Sequence, residues 1–377
     1  MTAGGVGGSS PQDGTAGGVG GSSPQDGTAG GDGGPSPQDS TAGGDGGPSP
    51  DAGIVDAHCH IIVPEMMTGA VPASWRPAVR REDGRQVVDF RGRAIRSVAG
   101  EFTDVDVMLA EAAEVGIGRL LLSPWITLVP AEAAELYEAQ HVCQVQNEAL
   151  AGIAAAHPGR VSALGAVPLQ DPGFAARQLE RLMRVPGMHG VEIPASVQGG
   201  YLGEERFAPF WEAAERTGAL VFIHPTTRGF GLPALDDYYL WNSVGNPLET
   251  AVTAAQLAVS GVLERHPRLR VLLAHGGGAL PSVRGRLRRA FAVRAEASAR
   301  SDHDPDTSLR RFYYDTVTHD QALLADLVSY AGADHVLLGS DRPFDMRSEC
   351  PAQDVRALGL GDTERLILGG NAARLLG

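Results

Sequence analysis

Two histidines one residue apart, within the run Val55-Asp56-Ala57-His58-Cys59-His60, constrain this chain more than any other stretch. The run has the character of a buried strand, and alternate side chains of a strand share a face. His58 and His60 are therefore expected to point together while Cys59 points away. Two imidazoles converging on one volume make half of a metal site, because neutral imidazole is the commonest protein ligand for zinc and its neighbours. On its own a His-x-His pair fits ordinary packing as well as ligation. What decides between them is whether distant residues complete the site.

Composition removes several possibilities. The 377 residues carry a formal net charge of −14, which argues against a nucleic-acid binder, where a basic patch or stripe is expected. All 31 cationic side chains are arginine. Without lysine there is no Schiff-base nucleophile and no carboxylated lysine to bridge two metals, so a metal centre here is expected to hold one ion. Cys59, Cys143 and Cys350 are too few and too scattered for a disulfide framework, which fits a reducing cytoplasm. Nothing resembles a secretion signal or a membrane span, so no membrane partner is expected.

Residues 2–14, TAGGVGGSSPQDG, recur at 15–27 and in altered form at 28–40, a period of 13 residues. Each copy is Gly, Ser, Pro and Asp with almost no apolar side chain to bury, so chain entropy is expected to keep residues 1–52 disordered. The folded domain is expected over residues 53–377.

From there, eight short apolar runs, at 54–60, 119–123, 161–167, 190–194, 219–224, 270–275, 312–316 and 335–341, alternate with longer amphipathic segments. Helices are expected over 104–115, 131–157, 173–184, 206–217, 248–265, 280–297 and 319–331, with a closing pair near 352–358 and 362–376. This pattern predicts an α/β fold, a distorted (β/α)8 TIM barrel whose active site lies at the carboxyl ends of the strands. A doubly wound sheet also alternates, but no Gly-rich phosphate loop follows an early strand here. Residues 64–102 are too long for a plain connection and are expected to build a lid or pocket after strand 1.

The strand ends can now be collected. Strand one ends in His58 and His60, strand five in His224, strand six in His275 and strand eight in Asp341. Any one of them alone would suit a hydrogen-bonded structural role, but all five should face one rim. Histidines and an aspartate suit a mononuclear zinc or similar ion with an open position for water; spacing does not say which histidines are the ligands.

With those residues in view, the sequence resembles the amidohydrolase superfamily, in the branch typified by aminocarboxymuconate semialdehyde decarboxylase. The resemblance covers nearly all of residues 54–376 and is carried by VDAHCHIIVPE, GNPLETAVTAAQLAVSGVLERHPRLRVLLAHGGGALP, FYYDTVTHD, HVLLGSDRPF and the closing GGNAARLLG. It implies that His58, His60, His224 and Asp341 ligate one divalent ion, zinc before manganese, and that His275 moves a proton with Asp341 beside it. It also implies a homodimer and a small carboxylic acid substrate, aromatic or conjugated, that loses carbon dioxide. The same apparatus can hydrolyse a cyclic amide, lactone or ester, and that alternative stays open.

A carboxylate substrate needs cations, and arginine's planar fork suits it. Arg91, Arg93 and Arg96 in the insertion, and Arg228 after strand five, are the candidates, with solvated loop arginines as the alternative for each. Asp315 and His319 in FYYDTVTHD are expected to support ligands or cap a helix. The chain departs from the family pattern at Thr226, Thr227 and Arg342 and through GFGLPALDDYYLWN. These departures leave the cluster intact and are expected to reshape the pocket.

Overall fold

Each barrel strand presents one face to the interior and one to the surrounding helices, which is why all seven residues of β1 (Val55–Ile61) are buried. The structure, a computed structural model, describes residues 53–133, 135–226 and 231–377. The expected disordered leader at 1–52 and the candidate Arg228 lie outside the described residues.

The insertion after β1 folds as a three-stranded antiparallel sheet, β2 (Ala78–Glu82), β3 (Arg85–Phe90) and β4 (Arg93–Ile95). Both of its turns are two-residue hairpin loops, Asp83-Gly84 and Arg91-Gly92, with positive φ at each position, the conformation that matches strand twist. The chain then runs α1 (Val105–Glu114), β5 (Arg119–Pro124), α2 (Leu136–Ala156), β6 (Val161–Gly165), α3 (Pro172–Leu182) and β7 (Met188–Pro194). A small hairpin, β8 (Ser196–Val197) with β9 (Gly200–Tyr201), precedes α4 (Ala208–Thr217) and β10 (Leu220–His224). The remaining elements are α5 (Asn246–Val259), α6 (Val262–Arg265), β11 (Arg270–Leu273), α7 (Leu280–Val293), α8 (Pro305–Leu309), β12 (Tyr313–Asp315), α9 (Gln321–Ala331), β13 (Val336–Leu337), α10 (Pro351–Arg356) and α11 (Asn371–Leu376).

Eight parallel strands pair in the order β1-β5-β6-β7-β10-β11-β12-β13. The ring closes because Ala57 N–H donates to Leu338 O at 2.9 Å, Asp341 N–H to His58 O at 2.8 Å and His60 N–H to Arg342 O at 2.9 Å. Asp56 reinforces the seam, accepting from the amides of His58 at 3.1 Å and Ser340 at 3.0 Å. This is the (β/α)8 barrel the alternation predicts. The expected helix at 248–265 is broken at Gly261, which takes φ 74° and separates α5 from α6. The last strand is shorter than expected because Gly339 N–H turns to Thr316 Oγ1, at 3.1 Å, while Ser340 and Asp341 bond across the seam to β1. A side chain at 339 would put its Cβ 2.9 Å from that of His58 and 3.0 Å from that of Asp315, so only glycine lets the strand pass.

Two apolar layers result. The inner one packs Val55, Ala57, Leu121, Leu164, Leu220, Phe222, Leu272 and Leu337, and the outer one lies between strands and helices. Val55 and Ala57 belong to the inner layer, yet Cys59 and Ile61 belong to the outer one. A bulge between Asp56 and Cys59 inserts one residue against β5 and exchanges the faces, so His58 and His60 turn inward at the strand's end. Phe222, fully buried 4.8 Å from the His58 ring, forms the floor beneath them; burying such a side chain stabilises by about 1.5–3 kcal/mol. Among the described residues no helix is long and apolar enough to cross a membrane.

Candidate metal centre

Four imidazoles and one carboxylate meet at the carboxyl ends of β1, β10 and β11 and just past β13. Ring centroids lie 5.0 Å apart for His58 and His60, 4.9 Å for His60 and His224, and 5.2 Å for His224 and His275. Nε2 of His58 and Nε2 of His60 are 3.1 Å apart, and each is 3.4 Å from Asp341 Oδ1. Ligands of a tetrahedral cation at about 2.1 Å stand about 3.4 Å from one another, so these three atoms have the spacing of one shared ion. Asp341 Oδ1 is buried and has no hydrogen-bond partner. A bare acceptor facing two imidazole nitrogens fits a cation far better than it fits an empty core.

The backbone carries the strain of this arrangement. His275 and Asp341 both sit at positive φ, 58° and 63°, a conformation non-glycine residues hold only when their surroundings enforce it. For His275 the enforcement comes from Asp315, fully buried at the end of β12, which accepts from His275 N–H at 2.8 Å and Gly276 N–H at 2.7 Å. The same carboxylate accepts from His58 Nδ1 at 2.5 Å. That bond fixes the His58 tautomer and leaves Nε2 for the centre. His224 Nδ1 meets Pro225 O at 2.9 Å, with the same effect. Asp315 is thus the supporting group expected of it. His319 is exposed, and the cap of α9 is Asp320, which accepts from Leu323 N–H at 2.8 Å.

Electrostatics at the cluster pull in opposite directions. Burial lowers the His58 pKa, but Asp341 and Asp315 outweigh it and push the group up to about 10. For His60 burial also opposes, and Glu192 and Asp341 push it up to about 9. His224 falls well below the ordinary imidazole range, first through burial and then through the neighbouring rings of His60, His275 and His58. Asp341 is held well below the usual carboxylate range despite its burial, chiefly by the charge of His58 and by the imidazoles of His275 and His60 beside it. The acids call for positive charge where the rings of His58, His60 and His224 meet, and a divalent cation would supply it.

The cluster opens into a cavity of about 1220 Å³ that includes His224, His275 and Asp341 in its wall. Trp75, Phe90, Trp125, Tyr239, Trp241 and Phe344 make its aromatic sides. Arg91, Arg93 and Arg96 line it from the insertion, joined to the centre by the Val98–Phe344 bridge. Arg91 stacks on Trp75 at 4.0 Å, and Arg96 Nε lies 3.5 Å from Glu82.

Sequence reasoning passed over two acids. Glu192 of β7 is fully buried beside His60, with Oε2 3.7 Å from Nδ1. Its signal was a charge inside the apolar run Gly190 to Pro194. Glu249, in the first turn of α5, accepts from Thr226 N–H at 2.7 Å and from Ser196 Oγ at 2.8 Å. It ties the loops after β7 and β10 together; burial raises its pKa against those hydrogen bonds.

A (β/α)8 barrel with histidines and an aspartate gathered at its carboxyl rim defines a metal-dependent enzyme. A family profile described as amidohydrolase matches residues 55–377, and the chain belongs to that family. It is 28% identical over 329 residues to 2-amino-3-carboxymuconate-6-semialdehyde decarboxylase of Dictyostelium discoideum, covering 86% of this chain and 91% of the relative. It is 29% identical over 296 residues to gamma-resorcylate decarboxylase of Rhodococcus jostii, covering 72% and 86%. Among solved structures, 5-carboxyvanillate decarboxylase of Sphingomonas paucimobilis aligns with a TM-score of 0.72 at 25% identity, over 86% of this chain and 98% of the other.

Proposed function

We propose that this protein is a divalent-metal-dependent carboxy-lyase that removes carbon dioxide from a small aromatic or conjugated carboxylic acid. The observation that carries the reading is the triangle of His58 Nε2, His60 Nε2 and Asp341 Oδ1, with sides of 3.1 to 3.4 Å, whose Asp341 stands in the wall of an aromatic cavity. The relatives, decarboxylases of acids of this kind, support it.

In this reading His58, His60, His224 and Asp341 hold the ion. When bound, the ion polarises the oxygen atoms of the acid and makes the conjugated system easier to protonate. Zinc is our first assignment and manganese its competitor, since imidazole and carboxylate suit both. His275 carries the proton. Its Nε2 lies 3.5 Å from Asp341 Oδ2, so a proton held between the two can pass to the carbon bearing the carboxylate. A π pair of the conjugated system forms the new carbon–hydrogen bond; the carbon–carbon bond then breaks, its electron pair restores the π system, and carbon dioxide leaves. Aromatic walls hold the ring flat while Arg91, Arg93 and Arg96 draw the anion in.

We also assign a homodimer and a cytoplasmic location. The outward face of α7 exposes Val283 and Val293, 39% and 52%, beside Arg286 and Arg289, and a second copy would cover it. The cysteines are all free, which suits a reducing compartment.

The test is His275→Ala assayed for carbon dioxide release on a panel of hydroxybenzoates and conjugated diacids, with cyclic amides and lactones as controls. Loss of about 10²–10⁴-fold in kcat with metal content unchanged is expected. Ring opening of the controls by the wild type, with no carbon dioxide from any acid, would replace the lyase with a hydrolase.

A further inference from the structure

Glu192 lies on the inner face of β7, wholly shielded from solvent, and neither of its carboxylate oxygens has a hydrogen-bond partner. Asp341 Oδ1 is also bare, but it faces two imidazole nitrogens at 3.4 Å, and the remaining acids of the cluster's surroundings are well served. Asp56 accepts from two amides, and Asp315 from three amides and an imidazole. A carboxylate stripped of water and left bare is strongly disfavoured unless positive charge sits nearby. The nearest candidate is His60, whose Nδ1 lies 3.7 Å from Oε2. His60, Glu192 and His224 together offer donor atoms within 4.8 Å of one another.

The three strand-end imidazoles differ in how their outer nitrogens are held. His58 has Asp315 at 2.5 Å and His224 has a carbonyl at 2.9 Å. His60 Nδ1 has the Ser123 hydroxyl at 3.2 Å, and that hydroxyl donates its own proton to Cys59 O at 3.1 Å. Ser123 therefore accepts from Nδ1–H, and Glu192 stands behind the same proton as its only carboxylate neighbour among the described residues. Such outer partners fix a ligand's tautomer and raise its basicity.

We propose that Glu192 is a positioning residue of the metal centre: its charge keeps the His60 proton on Nδ1, turns Nε2 to the cation and adds the negative charge that retains it. The inference rests on the metal reading above. It carries a sign that a structural role does not share. Unlike Asp315, Glu192 accepts no hydrogen bond, and the attraction of His60 at 3.7 Å offsets only part of its desolvation, so removing its charge should leave the metal-free chain as stable or more so, while the holoprotein loses its grip on the ion.

The experiment compares full-length wild type with Glu192→Gln, and with Glu192→Leu as a second variant of similar volume. Zinc affinity is measured by competition with a chelating dye, stoichiometry by elemental analysis, and melting temperature with and without metal. The expected result is one ion per wild-type chain, affinity 10–100-fold weaker in both variants, metal-free melting temperatures equal to or above wild type, and an altered absorption spectrum of the cobalt-substituted proteins. Affinity within twofold of wild type, or a metal-free melting temperature that falls in step with affinity, overturns the role of Glu192 alone. Two ions per wild-type chain would make Glu192 a ligand of the second and overturn it too. A wild-type chain that binds no divalent cation overturns the metal centre and this inference with it.

Discussion

Replacing Asp315 with alanine tests how the site is held. The carboxylate accepts four hydrogen bonds, from His58 Nδ1 at 2.5 Å and from the amides of His275 at 2.8 Å, Gly276 at 2.7 Å and Val317 at 3.0 Å. Each buried donor left unpaired costs about 1–3 kcal/mol, and water entering the vacated space recovers part of this. Breaking a buried charged pair by removing one partner costs about 3–5 kcal/mol, so the expected loss for Asp315→Ala is about 4 kcal/mol. The loss should have a second component. His275 holds its φ of 58° only while its amide is bound, so the loop should relax to ordinary backbone and carry the imidazole away. Urea unfolding of the metal-free chain reads the first component and zinc affinity the second, with a 10–100-fold weakening expected. Asp315→Asn keeps an acceptor for the amides and should recover much of the stability but little of the metal affinity. If Asp315→Ala unfolds within about 1 kcal/mol of wild type, or binds zinc equally well, the account of His58 and His275 being fixed by one carboxylate is wrong.

Glu101 pins the insertion to the barrel, accepting from Gln86 Nε2 at 2.7 Å, Thr103 N–H at 2.9 Å and Thr103 Oγ1 at 2.8 Å. Burial opposes its ionisation, yet these donors prevail and its pKa is lowered. A lowered folded pKa gives stability that is present above the unfolded value, about 4.3, and is lost as pH falls through the folded one. Urea midpoints at pH 7 and pH 3.5 should therefore converge in Glu101→Gln relative to wild type, and equal pH dependence in the two proteins would refute this. Gly190 is the second site. A Cβ there would lie 1.8 Å from Leu220 O, inside the β7–β10 pairing, so Gly190→Ala should cost more than about 4 kcal/mol and yield little folded protein; a variant with wild-type melting temperature would show that the strands can move apart.

The barrel was legible because its strands are buried on both faces. Short apolar runs between amphipathic stretches leave few other architectures, and seven of the eight runs match observed strands to within about two residues. The insertion was legible only as excess length, although Asp83-Gly84 between RRE and RQVV is a hairpin turn signal of the kind short loops require. The bulge in β1 has no such signature. Strict alternation would set Val55, Ala57 and Cys59 on one face, and the change of face arises only from how β1 registers against β5, a pairing between segments about sixty residues apart.

The same distinction divides the acids of the site. Asp341 is visible because it ends a strand in a run of small residues, and Asp315 because it stands in a motif with histidine. Glu192 carried only the weak hint of a charge in an apolar run, and its partner could not be named. His60 and Glu192 belong to β1 and β7, which are separated by β5 and β6 in the ring, so no ladder contact relates them. They meet across the interior, where separation is set by how tightly eight strands close. Closure depends in turn on the seam, where Asp56, Ser340 and the amide of Asp341 bind β13 to β1. The seam therefore sets the distance from His60 to Glu192 as well as the place of Asp341, and a barrel that closed more loosely would present the same residues in the same order without a site.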